Sequence, residues 1–187
     1  MTPYPSRRHF LHRSLRQAAG LAGAAGAPAL LLHARAAAAA PRSLSLVHTH
    51  THESIDVCYA RGEQYDAPAL TSLNRFLRDH YSGEVGHIDP ALHDLLHRLH
   101  QTVGSTEPYQ VISGYRAPAT NARLKATRGG GVATRSLHMT GQAIDVRLPG
   151  TALSDLRDAA LSLQSGGVGY YPGSQFVHLD TGRVRRW

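Results

Sequence analysis

The chain has 187 residues, 20 basic and 13 acidic, for a formal net charge of +7. Five arginines (Arg7, Arg8, Arg13, Arg16, Arg35) and no acid fall within residues 1–40, so the remainder carries only +2, which excludes a strongly basic nucleic-acid-binding body. The single cysteine, Cys58, excludes an intramolecular disulfide framework and a Cys-rich zinc site, and the roughly 150 residues after the front end suffice for one compact domain.

Ser6-Arg7-Arg8-His9-Phe10-Leu11 precedes an apolar run from Ala18 to Leu32 that is interrupted by Gly20, Gly23, Gly26 and Pro28. At about 1.5 Å per residue this run is too short to cross a hydrocarbon core of about 30 Å. A charged start, a modest apolar centre and the small-residue end Ala34-Arg35-Ala36 predict a secretory signal over residues 1–40, cut after Ala36 or within 37–40. The paired arginines resemble the twin-arginine type, read by an export machinery that passes folded protein. The domain is then expected over residues 41–187, in the periplasm and without a stable membrane span.

Along that domain, Leu44–His48 and Ser54–Tyr59 predict a β-hairpin. Asp66 and Pro68 open a helix whose Leu70, Leu73, Phe76 and Leu77 recur at helical spacing to about His80. Asp89-Pro90, an N-cap followed by proline at the first helical position, starts a second, with Leu92, Leu95, Leu96, Leu99 and Val103 as its buried stripe. A strand over Tyr109–Ser113 follows, then a short helix from Pro118 to Ala126 and a loop over Arg128–Arg135. Gln142–Leu148 reads as a strand, Thr151–Leu163 as an amphipathic helix, and Gln175–Asp180 as a last strand after a Gly-rich turn. Early helices and mostly late strands predict a single α+β domain with an antiparallel sheet and flanking helices.

Three segments carry chemistry: Ser113-Gly114-Tyr115-Arg116-Ala117-Pro118, Ser136-Leu137-His138-Met139-Thr140-Gly141-Gln142-Ala143-Ile144-Asp145, and Phe176-Val177-His178-Leu179-Asp180. A turn before a strand can fold His138 back over Asp145, and His178 on a neighbouring strand can supply a third ligand. Two imidazoles and a carboxylate suit zinc, and three protein ligands leave one tetrahedral position open for water. Spacing alone leaves open a surface histidine paired with a strand carboxylate.

The string Ser-x-His-x-x-Gly-x-Ala-x-Asp, preceded by Ser-Gly-Tyr-Arg and followed by a strand histidine, resembles the zinc D-alanyl-D-alanine carboxypeptidase and Hedgehog-like superfamily, and within it the murein endopeptidase K-like family. The resemblance runs from about Leu44 to Trp187. It includes Leu73-Asn74-Arg75-Phe76-Leu77-Arg78-Asp79-His80, the turn Gly167–Pro172, and Phe176 to Gly182. It implies one zinc ion per chain held by His138, Asp145 and His178, with Arg116 stabilising the oxyanion of a tetrahedral intermediate and Ser136 holding the ligands or the substrate backbone. It also implies hydrolysis of peptide cross-links in peptidoglycan, with the peptide stems as substrate. Many relatives place an acidic general base three residues before the last zinc histidine, where this chain has Gln175. Asp180, on the same strand face as His178, is the carboxylate expected to act as base or to orient a ligand. The alternatives are a D,D-carboxypeptidase and, favoured by Gln175, a non-catalytic wall-binding domain that keeps zinc.

The remaining features read as structural. His48, His50 and His52 read as a solvated hairpin edge, with a second metal site as the alternative. His93, His97 and His100 read as a polar helix face, and Cys58 as a small core residue. Arg123, Lys125, Arg128 and Arg135 suit a solvated loop or contact with anionic wall polymer. Arg183, Arg185 and Arg186 beside Trp187 form a short basic end with no case for nucleic acid.

Overall fold

The computed structural model describes residues 40–127 and 131–187, so residues 1–39 of the signal expected over 1–40, and residues 128–130 of the expected loop, lie outside the described residues. Strands β1 (Pro41–His48) and β2 (Ser54–Arg61) form the expected hairpin, extended by a two-residue β3 (Gln64–Tyr65). Helix α1 (Ala67–Phe76) starts where the Asp66 carboxylate accepts from Ala69 N–H. It stops short of His80 because the Leu77 carbonyl is taken by Tyr115 N–H at 2.7 Å, and Asp79 turns its carboxylate to Tyr81 and Ala117 N–H. Helix α2 (Pro90–Val103) runs from Asp89, which accepts from Ala91 N–H, to Gly104 in the left-handed conformation that ends a helix without a Cβ penalty.

Strand β4 (Tyr109–Ser113), helix α3 (Pro118–Thr127) and strand β5 (Ala143–Arg147) follow, with a single 3₁₀ turn at Leu137–Thr140 before β5. After helix α4 (Leu153–Ser162) the chain forms three strands, β6 (Gly167–Tyr171), β7 (Phe176–Asp180) and β8 (Arg185–Arg186). The segment read as a Gly-rich turn is therefore strand β6, and the basic end adds β8. The order is β3-β2-β1-β4-β5-β7-β6-β8. Most pairs are antiparallel, but β1–β4 and β6–β8 are parallel. The β1–β4 pairing requires a crossover, which α1 and α2 supply.

The domain is α+β, with one core. Leu92, Leu95, Leu96 and Leu99 of α2 are buried with Leu73, Leu77, Ile88 and Leu156 against Leu46, Val111, Ile144, Val146, Val177 and Leu179 of the sheet. Strand alternation then sends Asp145, His178 and Asp180 to the opposite face, since their neighbours Ile144, Val146, Val177 and Leu179 all face the core. Two readings of histidines change. His93 is fully buried, not on a polar face, and neither ring nitrogen has a hydrogen-bond partner among the described residues. His48 is also fully buried: its Nδ1 accepts from His50 and Thr51 N–H, so it caps the hairpin turn from inside while His50 and His52 stay exposed. Cys58 is half-buried, with Sγ 3.5 Å from the Ala60 carbonyl.

Candidate metal centre

Strands β5 and β7 are antiparallel neighbours, and their register puts Asp145 directly opposite His178. This pairing joins residues 33 positions apart, with His178 Nδ1 2.8 Å from Asp145 Oδ1. His138 arrives from the 3₁₀ turn. That turn closes on Gly141, whose φ of +67° suits glycine and where a Cβ would collide with the His87 carbonyl. It sets His138 Nε2 3.4 Å from Asp145 Oδ1 and 3.3 Å from His178 Nδ1. Among the described residues, these three form the group of His, Cys, Asp or Glu side chains able to share one metal ion.

The hydrogen bonds behind the triangle fix which nitrogen faces inward. His138 Nδ1 lies 2.7 Å from the Gly114 carbonyl, a partner that can only accept, so Nδ1 donates there and Nε2 is the nitrogen turned to the triangle. His178 Nε2 lies 3.1 Å from Asp180 Oδ2 and its Nδ1 2.8 Å from Asp145 Oδ1, so the ring stands between two carboxylates with Nδ1 on the side of the triangle. Each imidazole is thus oriented through its outer nitrogen, as metal-binding histidines commonly are.

Electrostatics follow from this packing. Burial works to raise the Asp145 carboxyl, but His138 and His178 outweigh it and hold the group well below the usual carboxylate range. Burial works to lower His178, and hydrogen bonds to Asp145 and Asp180 more than offset it, so the imidazole lies above its ordinary value. Asp180 is also held low against its burial, by His178, Arg185 and the Gly182 N–H.

Arg116 lies beside the triangle, its Nη2 4.0 Å from Asp145 Oδ2 and its Nη1 3.4 Å from Asn121 Oδ1. Its backbone N–H donates to the His138 carbonyl at 3.1 Å, so the Ser-Gly-Tyr-Arg segment and the turn carrying His138 are stitched together. Arg116, His138, Asp145 and His178 face a cleft of about 600 Å³ that is also lined by Arg135, Ser136, Tyr171, Phe176, Arg185 and Trp187. The carboxylate on that lining is Asp145; Gln175 turns its amide to the Pro172 carbonyl and is not part of the lining. Asp180, fully buried, lies behind the His178 ring rather than in the cleft.

Asp79 was missed by sequence reading. It is buried, and its two oxygens accept from Tyr81, Ser82 and Ala117 N–H, which ties the segment carrying Arg116 to the end of α1. The signal available was Asp79 closely followed by Ser82-Gly83, a pattern for a carboxylate that caps its own turn. No helix of the described residues is long and apolar enough to cross a membrane.

Residues 36–187 match the family model described as peptidoglycan L,D-endopeptidase MepK. The chain is 49% identical over 135 residues to the peptidoglycan L,D-endopeptidase MepK of Escherichia coli strain K12, covering 72% of this chain and 74% of the relative. It is 37% identical over 130 residues to the probable peptidoglycan L,D-endopeptidase MepK of Haemophilus influenzae, covering 69% of each. Among solved structures, the Serratia marcescens L-Ala D-Glu endopeptidase ChiX matches with a TM-score of 0.35 and 19% identity over 51% of this chain and 68% of that one, too slight a likeness to bear on fold or function.

Proposed function

The chain belongs to the peptidoglycan L,D-endopeptidase MepK family, and from that premise we propose that it is a zinc peptidase cutting L,D cross-links between peptide stems of peptidoglycan. The observation that carries the metal part of this reading is the donor triangle. Tetrahedral zinc with ligands at about 2.0–2.1 Å separates them by about 3.3–3.4 Å. The two edges at His138 Nε2 have that length, and the third, between His178 Nδ1 and Asp145 Oδ1, is shorter. Two imidazoles and one carboxylate are a donor set suited to zinc. When bound, zinc supplies Lewis acidity and a lowered pKa, about 7, for water at its open position.

The protein residues divide the remaining work. Arg116 presents a fixed cation beside the triangle and stabilises negative charge developing on the carbonyl oxygen of the scissile amide. Ser136, buried at the cleft wall, is a hydroxyl for the substrate backbone. Asp180 holds the His178 ring through its outer nitrogen, a positioning role that its burial behind the ring favours over that of a base. Gln175 leaves the base position of many relatives without a carboxylate, and Asp145 keeps its oxygens on the imidazoles and Arg116.

Peptidoglycan lies outside the inner membrane, so this activity requires export, which we assign to a twin-arginine signal within residues 1–40 followed by the domain over 41–187. Replacing Arg7 and Arg8 with lysine should leave uncleaved precursor in the cytoplasm. The activity itself is tested by digesting purified cross-linked muropeptides with the protein, with and without zinc. L,D-linked dimers should be cut only with zinc present, while D,D-linked dimers and D-alanyl-D-alanine stem ends remain whole. Trimming of stem ends would favour a carboxypeptidase, and intact L,D-linked dimers with zinc bound would favour a non-catalytic wall-binding domain.

A further inference from the structure

Two features of the chain have no part in the reading so far: the glycines of Gly167-Val168-Gly169, and the basic end closed by Trp187. They meet in space. Strand β8 lies parallel to β6, and Trp187 N–H donates to the Val168 carbonyl while Tyr170 N–H donates to the carbonyl of Trp187. This places Arg185 against Asp180 in a forked pair, Nη1 2.9 Å from Oδ1 and Nη2 2.7 Å from Oδ2. The same carboxylate accepts from Gly167 N–H at 3.1 Å and Gly182 N–H at 2.9 Å, and faces His178 Nε2 at 3.1 Å. The Arg185 guanidinium in turn lies over the Trp187 ring, 4.8 Å from its centroid, and that ring is 5.2 Å from the ring of His178.

The glycines are the clearance for this arrangement. A Cβ at Gly167 would collide with both Arg185 Nη1 and Asp180 Oδ2, and one at Gly169 would lie 2.7 Å from the Trp187 ring. The segment that reads as a turn from its composition is a strand whose missing side chains make room for the last strand.

We propose that Arg185 is a positioning residue of the metal centre: acting through Asp180, it fixes the imidazole plane of His178, with Gly167 and Gly169 as the space it requires. Without Arg185 the Gly167 and Gly182 N–H groups hold only Oδ1 and leave Oδ2 to the imidazole alone, so the carboxylate can rock about its Cβ–Cγ bond, and the ring rocks with it. The planar fork of arginine holds both oxygens at once and sets the plane of the carboxylate, which a point-charge lysine cannot do as well. Fixing His178 from behind lowers the ordering cost of metal binding at Nδ1.

The proposal rests on His138, Asp145 and His178 holding the metal. The test compares the wild-type protein with Arg185→Gln and Arg185→Lys. It reads the zinc dissociation constant by competition with a chromophoric chelator, well below the thermal midpoint, and the midpoint of the metal-free protein separately. Arg185→Gln should weaken zinc binding by about 10–100-fold, the range for loss of a partner supporting a ligand, and hydrolysis should return as zinc is raised. Arg185→Lys, which keeps a charge beside Asp180, should weaken zinc by a smaller factor at a nearly unchanged midpoint. If Arg185→Gln does not fold, the lysine variant alone decides. A lowered midpoint with unchanged zinc affinity overturns the proposal and leaves Arg185 a structural ion pair. Absence of zinc binding by the wild type would instead overturn the metal reading beneath it.

Discussion

Asp180 Oδ2 lies 3.1 Å from His178 Nε2, while Asp145 Oδ1 lies 2.8 Å from Nδ1 of the same ring, so the imidazole separates the two carboxylates. Asp180 also spends its oxygens on Arg185, Gly167 N–H and Gly182 N–H and is fully buried. A group so placed suits the positioning of the His178 ring better than proton transfer in the cleft. Asp180→Asn should therefore lower zinc affinity by about 10–100-fold and recover most of its turnover at saturating zinc. Chelator competition and steady-state rates at several zinc concentrations measure both. Full zinc retention with a loss of about 10²–10⁴ in kcat would make Asp180 the base after all.

The triangle makes a stoichiometric prediction. The purified protein should carry about one zinc per chain, and His138→Ala, Asp145→Ala and His178→Ala should each lose metal and hydrolysis together. Metal content by mass spectrometry, beside muropeptide digestion, checks this. A His138→Ala, His178→Ala double variant that kept a full equivalent would move the site elsewhere.

Arg116 contacts Asp145 at the edge of the ion-pair range and is held by Asn121 and its own backbone bond to His138. A cation acting on charge that develops during reaction contributes mainly in the transition state. Arg116→Ala should cut kcat by about 10²–10³ with little change in KM or zinc content. Asp79→Ala should show the same kinetic direction more weakly, because it frees the Ala117 N–H that anchors the Arg116 segment. It should also destabilise the fold by about 3 kcal/mol or more, since three backbone N–H groups lose their acceptor. An Arg116→Ala enzyme with normal turnover would remove the oxyanion role.

What the sequence made legible is the part governed by short periods. Alternation put His178 and Asp180 on one face of their strand, and the spacing of Leu92, Leu95, Leu96 and Leu99 marked the buried side of α2. The role of Asp180 was not legible from the same rule. Two residues on one strand face point the same way, but the rule does not say that the ring of His178 stands between the second residue and the cleft. Gly167 and Gly169 read as a turn because their purpose lies in Arg185 and Trp187, which the chain reaches only at its end. His93 was placed on a polar face because its spacing with His97 and His100 matches a helix, yet it lies beside Leu92 at the margin of the buried stripe. Marginal positions go inward or outward according to what packs on them, here Tyr59 with its ring 5.6 Å away.

That buried histidine sets a pH dependence of stability. Burial pushes His93 down to about 4. The carboxylates of Asp94 and Asp89 oppose this weakly, and His87 adds to it. Neither nitrogen has a hydrogen-bond partner among the described residues, so no hydrogen bond in the folded state rewards its protonation. The unfolded chain takes up the proton near pH 6.5. Between about 6.5 and 4 the unfolded state therefore binds more protons than the folded state, and stability falls as pH falls through that window. Above it the stability is fully present; below about 4 both states are protonated and the loss stops growing. The loss reaches on the order of 3 kcal/mol from this residue. His48, also held near 4 by burial and by neighbouring His80, His50 and Arg78, adds a second loss of the same sign. His93→Leu, similar in volume and unable to titrate, should remove the first contribution and leave the second. Urea unfolding from pH 7.5 to 3.5, with chelator in every sample so that metal release cancels, should show the two curves diverging between pH 6.5 and 4. The variant should be the flatter. Parallel curves would mean that His93 is protonated in the folded protein and that its cavity admits water or a counter-charge.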